Sequence, residues 1–417
     1  MRSSVQGHRL RKLEESFASL PARYVGSETP LRATAEVELV DLARSWRVDL
    51  RQSECQVREL DTGNRLRADV VISTDSGTWL ALRAGKLTGL EAFGERRLRM
   101  RGNLSLATAF ESMFSLPDGG AAPQRVRLVK AGSQRISTLT TGDGPEHVLL
   151  LHGLGADKAS FFTTINALAS SHTVHAIDFP GFGASSKPAS APYNAPWLAN
   201  RVRDLLDELG IEKVHLVGNS MGGRIAIELG LRDPGRVASL SLLAPAMAWR
   251  RRRAFLPIVR LLRPELAFMP HPILAPLVRE QVKDLFADPQ DIDPDLIEIT
   301  AQEFCRQYRS RNARIAFYAA ARNIYLDEPF GEAGMWTRLC DLKPPTLFVF
   351  GDRDKLVPAG FSPHCEQALP NGRCVVLEDC GHVPQIERPE RTNALIRSHI
   401  ASNLGSSVRR WVTRAAS

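Results

Sequence analysis

Val214-His215-Leu216-Val217-Gly218-Asn219-Ser220-Met221-Gly222-Gly223 is a β-type run that breaks at glycine, presents one serine and leads into a helical run at residues 224–231. A serine hydroxyl becomes a good nucleophile only when a base lies beside it and a strained turn holds its backbone. Gly218 and Gly222 leave room for such a turn, because a Cβ there would strike the neighbouring strand or helix. We therefore predict that Ser220 is a nucleophile. The alternative is a glycine-rich turn with an incidental serine.

Two later apolar runs end in residues that could serve this serine. Residues 346–350 lead into a Gly-x-x-Asp turn, and residues 374–377 lead into a turn that contains His382. The order serine, acid, histidine is typical of a triad on an open α/β sheet and differs from the serine-protease orders. We predict that His382 takes the proton from Ser220, while a carboxylate holds the imidazole in the right tautomer.

Two carboxylates compete for this orienting role. Asp354 is favoured, because the last position of the Gly-x-x-Asp turn extends further beyond its strand and can reach across to the histidine turn. Asp352 is the alternative, and we otherwise expect it to form the turn.

A further predicted strand at residues 147–151 leads into His152-Gly153-Leu154-Gly155. A turn of this kind can offer the backbone N–H of Leu154, which would pair with the N–H of Met221 as an oxyanion hole. His152 could be mistaken for the catalytic base, but we expect it to support its loop. We expect the same supporting role for the Asp-x-Pro-Gly-x-Gly loop at residues 178–183.

Five motifs together resemble the α/β-hydrolase superfamily over about residues 125–401. They are the His-Gly-x-Gly turn, the Asp-x-Pro-Gly-x-Gly loop, the Gly-x-Ser-x-Gly-Gly elbow, the Gly-x-x-Asp turn and the Gly-His pair. The resemblance implies an eight-stranded, mostly parallel sheet with helices on both faces. It places the core at residues 125–244 and 339–403, and an inserted helical cap at residues 245–338.

The Asn-Ser-Met-Gly-Gly sequence of the elbow also resembles that of the hydrolases that cleave carbon–carbon bonds in aromatic ring-cleavage products. Those enzymes usually carry a tryptophan directly after the catalytic histidine, whereas this chain has Val383. The departure favours hydrolysis of a carboxylic ester. Thioesters, lactones and carbon–carbon substrates stay open as alternatives, because one triad serves them all.

Residues 1–117 are predicted to form a separate α+β domain, followed by a Pro/Gly-rich linker at residues 118–124. Its predicted strands are residues 31–40, 46–51, 69–74 and 98–101. Its predicted helices are residues 77–83 and a last helix that is capped by Asn103 and runs through Phe114. The pattern over about residues 10–117 is similar to the sterol-carrier-protein type 2 family. That similarity implies a five-stranded sheet and an apolar tunnel for a fatty acyl or sterol-like ligand. The alternative is an interaction or dimerisation domain with an ordinary core.

Composition indicates a large enzyme, with 43% hydrophobic residues in 417. No segment approaches the run of about 18 apolar residues that a membrane-spanning helix needs, and the charged first residues are unlike a secretory signal. The six cysteines lack metal-ligand spacing. We therefore expect a cytoplasmic protein with reduced thiols and with neither a metal nor a cofactor.

The net charge of +8 is concentrated in the hydrolase part. Residues 249–263 of the cap and the basic tail at residues 404–417 combine arginine with tryptophan and aliphatic side chains, which is typical of a segment at a membrane surface. For the tail, a solvated and frayed segment is favoured over peripheral membrane contact, and for the cap both membrane contact and a solvated basic face stay open. No helix-turn-helix, zinc finger or aromatic RNA platform is evident, so no nucleic-acid partner is expected.

Two classes of function follow. The favoured one is a serine hydrolase that forms an acyl-enzyme from a hydrophobic, lipid-like ester. The other is a lipid-binding or transfer protein whose hydrolase domain is subsidiary.

Overall fold

The computed structural model describes residues 2–27, 31–61, 68–120, 122–248 and 274–403. The chain forms two compact units, Met1–Arg127 and Leu128–Ser417. The two basic segments considered for membrane contact, residues 249–263 and 404–417, lie outside the described residues. Within the described ranges, no helix has both the length and the apolar character needed to cross a bilayer.

The N-terminal unit is built on a five-stranded sheet, as the resemblance implies. Its strands are β1 (Arg32–Leu39), β2 (Arg44–Arg51), β3 (Cys55–Leu60), β4 (Val70–Thr74) and β5 (Leu98–Gly102). Its helices are α1 (Arg2–Ala18), α2 (Leu20–Arg23), α3 (Ser76–Arg83), α4 (Gly89–Gly94) and α5 (Leu104–Phe110). The strand order is β3-β2-β1-β4-β5, and β1 and β4 pair in parallel while the other neighbours are antiparallel.

Local sequence explains most of these elements. Trp46 and alternate residues of β2 are buried, as the alternating pattern predicts. Asn103 caps α5 by accepting a hydrogen bond from the Leu106 N–H (3.0 Å). The helix is shorter than predicted, because it ends at Phe110 and a 3₁₀ turn follows. Strand β3 was not predicted, since Cys55 is its one buried side chain and its apolar alternation is weak.

The second sheet has eight strands. They are β6 (Arg125–Ala131), β7 (Gln134–Thr141), β8 (His147–Leu151), β9 (Thr173–Ile177), β10 (Val214–Asn219), β11 (Val237–Leu243), β12 (Thr346–Gly351) and β13 (Arg373–Leu377). The order is β13-β12-β11-β10-β8-β9-β7-β6. Strands β8 to β13 are parallel to their neighbours among themselves, and β7 runs antiparallel to β9. This confirms the mostly parallel eight-stranded sheet.

Helices connect the strands of this sheet. Those described are α6 (Phe162–Ala169), α7 (Ala195–Glu208), α8 (Met221–Arg232), α9 (Ala275–Lys283), α10 (Pro294–Tyr308), α11 (Arg311–Leu326), α12 (Met335–Leu339), α13 (Ser362–Ala368), α14 (Pro384–Glu387) and α15 (Pro389–Ser402). Helices α9 to α12 stand between β11 and β12, where the sequence predicts an inserted cap. Because parallel strands end at one edge of a sheet, the turns after β8, β10, β12 and β13 lie near one another.

Candidate active site

The turn after β10 has the strained geometry expected of a nucleophile elbow. Ser220 has φ 52° and ψ −114°, a region that residues other than glycine rarely adopt. A Cβ added to Gly218 would lie 2.6 Å from the carbonyl carbon of Gly222, and one added to Gly222 would lie 2.0 Å from the carbonyl oxygen of Leu151. Both glycines are therefore required by close backbone approach, as the sequence predicts.

The end of the neighbouring strand β11 fixes the elbow. The Ser220 N–H donates to the carbonyl oxygen of Leu243 (3.0 Å), and the Ser220 carbonyl accepts from the Ala246 N–H (2.9 Å). The backbone of the serine is thus held on two sides, while its side chain is only partly buried.

The predicted acid and base lie against each other. Nδ1 of His382 lies 2.8 Å from Oδ2 of Asp354, and the two residues are 5% and 6% exposed. The other oxygen of Asp354, Oδ1, accepts hydrogen bonds from the N–H groups of Leu356 (2.7 Å) and Val357 (2.9 Å). Because an ionised carboxylate only accepts hydrogen bonds, Nδ1 carries the proton and Nε2 is left as an acceptor.

The competing carboxylate makes a different contact. Asp352 is exposed, and its Oδ1 accepts a hydrogen bond from the N–H of Cys380 (3.1 Å). It therefore supports the turn that leads to the histidine, which agrees with the turn-forming role expected for it.

Asn219 joins the histidine turn to the elbow. Its Nδ2 donates to the carbonyl oxygens of His382 and Leu243, each at 3.1 Å. The residue next to Ser220 therefore holds the backbone of the histidine. No role is predicted for Asn219 from the sequence, because nothing local to the elbow indicates the distant carbonyl that this residue bonds.

The turn after β8 packs closely against the elbow. A Cβ added to Gly153 would lie 3.4 Å from Cβ of Ser220, so Leu154 follows a residue that abuts the serine. Met221 is the first residue of α8, and the first N–H groups of a helix have no partner within the helix. Met221 directly follows the serine in the chain, and Leu154 follows the glycine that abuts it, while the oxyanion hole stays a prediction.

His152 is committed to its own loop. It is fully buried, its Nδ1 lies 2.7 Å from the carbonyl oxygen of Gly153, and its Nε2 accepts from the N–H of Phe179 (2.9 Å). Burial lowers the pKa of His152 to about 4, so the ring is neutral near pH 7. These contacts agree with the supporting role expected for His152.

The loop after β9 is held by a buried ion pair. Nζ of Lys158 lies 2.6 Å from Oδ2 of Asp178, and the Ala184 N–H donates to the same oxygen (2.8 Å). Burial alone would raise the pKa of Asp178, but the Lys158 ammonium holds it below its ordinary value. Asp178 thus orders its loop, as predicted.

The carboxylate of Glu387 bonds the histidine turn to the cap. Oε1 of Glu387 accepts from the Ala287 N–H (2.8 Å), and Oε2 accepts from the Gly381 N–H (2.5 Å). The His382 N–H donates to the carbonyl oxygen of Leu285 (2.7 Å), in the same segment after α9. Sequence reasoning missed Glu387, whose only signal is an acidic residue shortly after the histidine.

The cap presents apolar side chains near the site. Val383 packs in a cluster with side chains of α9 and α10, among them Val278 and Ile297. A Cβ added to Gly155 would lie 3.0 Å from the ring of Phe304 and 3.1 Å from the ring of Phe317. Aromatic side chains of the cap therefore cover the turn that carries Leu154. Among the side chains that the structure describes, no cluster of His, Cys, Asp or Glu is arranged to hold a metal ion.

Residues 148–395 match the alpha/beta hydrolase family. The chain belongs to this family. Residues 27–115 match the SCP-2 sterol transfer family, so the hydrolase is preceded by a domain of the sterol-carrier-protein type.

Relatives of this alpha/beta hydrolase include enzymes named for two different substrates. The pimeloyl-(acyl-carrier protein) methyl ester esterase of Aeromonas hydrophila is 31% identical over 272 residues, 64% of this chain and 99% of the relative. The 2-hydroxymuconate semialdehyde hydrolase of Pseudomonas putida is 32% identical over 284 residues, 67% and 95% of the two chains. Hydrolase activity is therefore shared by relatives that are named for different substrates.

Among solved structures, a bacterial membrane phospholipase A matches 79% of this chain and 94% of its own, with a TM-score of 0.57 and 25% identity. A 2-hydroxy-6-oxo-6-phenylhexa-2,4-dienoate hydrolase from Rhodococcus sp. strain RHA1 matches 66% and 98%, with a TM-score of 0.55 and 27% identity. Both matches agree with the hydrolase fold described above.

Proposed function

We propose that this alpha/beta hydrolase cleaves a carboxylic ester of a hydrophobic substrate through an acyl-enzyme at Ser220. One observation carries the proposal: a serine at φ 52° in a strand-to-helix elbow lies beside a turn whose buried histidine bonds a carboxylate at 2.8 Å. A lone serine in a tight turn would be weak support. The Asp354–His382 pair, bonded through Asn219 to the elbow, supplies what a serine nucleophile needs.

In the proposed reaction Oγ of Ser220 attacks the ester carbonyl, and Nε2 of His382 takes the hydroxyl proton. The negative oxygen of the tetrahedral intermediate accepts hydrogen bonds from the N–H groups of Met221 and Leu154. His382 then protonates the leaving alcohol. In the second half, His382 activates a water that releases the acid and restores Ser220. Asp354 keeps the proton on Nδ1 throughout, so that Nε2 stays free to accept one.

Several features favour a hydrophobic ester. The aromatic rings of Phe304 and Phe317 lie over the turn that carries Leu154, and an apolar roof favours an apolar acyl or alkyl group. An esterase and a phospholipase are among the proteins to which the chain is similar.

Carbon–carbon bond cleavage is the second candidate. It is favoured by similarity to the 2-hydroxymuconate semialdehyde hydrolase and opposed by Val383. This valine fills the apolar cluster between the histidine turn and the cap, so a tryptophan cannot take its place without displacing neighbours.

The N-terminal domain is proposed to bind the hydrophobic ligand and supply it to the hydrolase. Its match to the sterol transfer family supports this role. Peripheral membrane contact through residues 249–263 or 404–417 and a cytoplasmic location also stay proposals. A lipid-transfer protein with a subsidiary hydrolase domain is the competing interpretation.

Labelling with a fluorophosphonate tests the nucleophile. The probe should modify the wild type at Ser220 and fail to modify Ser220→Ala, with Ser160→Ala as a matched control that keeps labelling. An unlabelled wild type would exclude the serine mechanism and leave the transfer interpretation.

Substrate class requires a comparison of rates. Full-length protein should hydrolyse p-nitrophenyl esters of increasing chain length. The kcat/KM for a meta-cleavage dienoate should be at least tenfold lower than the kcat/KM for these esters. A faster reaction with the dienoate would reverse the choice between the two chemistries.

A further inference from the structure

An arginine in the N-terminal domain is buried without hydrogen-bond partners at two of its nitrogens. Arg83, the last residue of α3, is 5% exposed. Its Nε and Nη2 are shielded from solvent and have no partner among the residues that the structure describes. The guanidinium carbon lies 5.9 Å from the ring centroid of Trp79 and 5.2 Å from that of Phe114. Two aromatic side chains therefore lie against the group.

The guanidinium stays charged at neutral pH. Burial lowers the pKa of Arg83 to about 10, and the positive charge of Arg23 also lowers it. Arg23 donates hydrogen bonds to the carbonyl oxygens of Ser115 and Arg83, so a second cation lies close by. A buried charge of this kind is unfavourable unless an anion pairs with it.

The nearby carboxyl group of Glu111 supplies that anion only in part. Burial raises the pKa of Glu111 to about 7, so near neutral pH the side chain is ionised only about half of the time. Its Oε2 accepts from the Gly89 N–H (2.8 Å), and its Oε1 is buried without a partner in the described part of the chain. The two side chains attract each other, as the upward effect of Glu111 on the pKa of Arg83 indicates, but they form no hydrogen bond.

The two unpartnered nitrogens indicate what would bind. The N–H groups of Nε and Nη2 form one edge of the guanidinium and point the same way, which is the fork that grips two oxygens of one carboxylate. An anion with two coplanar oxygens would satisfy both donors at once. An apolar tail on that anion is expected from the lipid binding proposed for this domain.

We propose that Arg83 binds the carboxylate head group of an amphiphile, such as a long-chain fatty acid, inside the N-terminal domain. The inference rests on the proposed lipid binding by this domain and adds which end of the ligand lies deepest. It also gives the two domains a shared chemistry, since a carboxylic acid is the product that the proposed esterase releases.

The test compares probes that share a tail and differ in head group. Delipidated full-length protein is titrated with palmitate, with hexadecanol and with inorganic phosphate, and binding is followed by tryptophan fluorescence. The variants are Arg83→Met, which removes the fork, and Glu111→Gln, which removes the competing acid. Arg101→Met changes an arginine whose side chain is 60% exposed and serves as the matched control.

Wild type and Arg101→Met should bind palmitate about 10- to 100-fold more tightly than hexadecanol, the range of a charge-assisted pair. Arg83→Met should bind both probes equally, with hexadecanol affinity unchanged. Glu111→Gln should strengthen palmitate binding near pH 7. Phosphate should bind at least tenfold more weakly than palmitate, because it lacks the tail.

Equal affinity of the wild type for palmitate and hexadecanol would overturn the proposal, as would a palmitate preference that survives in Arg83→Met. Either result would mean that water or Glu111 satisfies the arginine. Phosphate binding as tight as that of palmitate would indicate a plain anion site. Failure of both palmitate and hexadecanol to bind would instead overturn lipid binding itself. If Arg83→Met does not fold, unchanged palmitate affinity in Glu111→Gln overturns the inference.

Discussion

Replacing Asp354 by asparagine should disable the proposed triad through a single proton. Oδ1 of Asp354 is held by the N–H groups of Leu356 (2.7 Å) and Val357 (2.9 Å), and Oδ2 faces His382. Asparagine has one oxygen, and the two backbone donors require it at the Oδ1 position. The amide NH₂ must therefore point at Nδ1 of His382. Nδ1 becomes an acceptor, so the proton moves to Nε2 and the imidazole can no longer take one from Ser220.

The expected loss follows from this tautomer. The same aspartate-to-asparagine change in a serine-protease triad lowers kcat by about 10⁴-fold. At about 1.36 kcal/mol for each factor of ten, this corresponds to roughly 5.5 kcal/mol of transition-state stabilisation. Stability should change little, because the substitution keeps the size of the side chain and both backbone hydrogen bonds.

Steady-state kinetics on a p-nitrophenyl ester measures the effect, with thermal unfolding as the check on folding. Asp352→Asn is the matched control. Asp352 is exposed, and the oxygen of an asparagine can still accept from the Cys380 N–H, so kcat should stay within about threefold of the wild type. The reasoning would be refuted by a loss below tenfold in Asp354→Asn, or by equal losses in the two variants.

Two other predictions concern the supports of the site. Glu387→Gln should lower kcat about tenfold with KM little changed, because an amide can accept from only one of the two N–H groups that bond Glu387 and hold the histidine turn to the cap. Exposed Glu390→Gln is the control, and an unchanged kcat would show that the turn holds itself. Acid should destabilise the fold through His152, whose pKa burial lowers to about 4. Between pH 6.5 and 4 only the unfolded chain binds that proton, so the free energy of unfolding falls by about 3 kcal/mol as pH falls. In urea unfolding, the free energy of unfolding of His152→Gln should fall less between pH 6.5 and 4 than that of the wild type, by the same amount. An equal fall in the two proteins would contradict the role given to His152.

The sheet and the elbow were predictable because their signals are local. Buried parallel strands give uninterrupted apolar runs, and β8 has the bounds read from such a run. At Gly218 and Gly222 the neighbouring backbone comes so close that a Cβ would not fit. Any sequence that forms this turn must meet the same constraint. Edge strand β3 escaped prediction because it buries a single side chain and therefore lacks the pattern.

The hydrogen bonds of the site join residues that are far apart in the sequence, so no local pattern shows them. Asp354 and Asp352 are two residues apart in one turn, and only the folded chain shows that Asp354 bonds the histidine while Asp352 bonds the Cys380 N–H. Asn219 and Glu387 are unremarkable in sequence because the groups they bond are backbone atoms, which every residue has.

The sequence by itself determined the family, the two-part architecture and the positions of the serine, acid and histidine candidates, because glycine spacing and apolar periodicity reflect short-range sterics. Tertiary structure alone decided how those residues are held. It showed that the cap segment before Ala287 is bonded to the histidine turn and that Arg83 is buried with two unpartnered nitrogens. Burial and hydrogen-bond pairing between distant segments are properties of the packed chain, so no local pattern contains them.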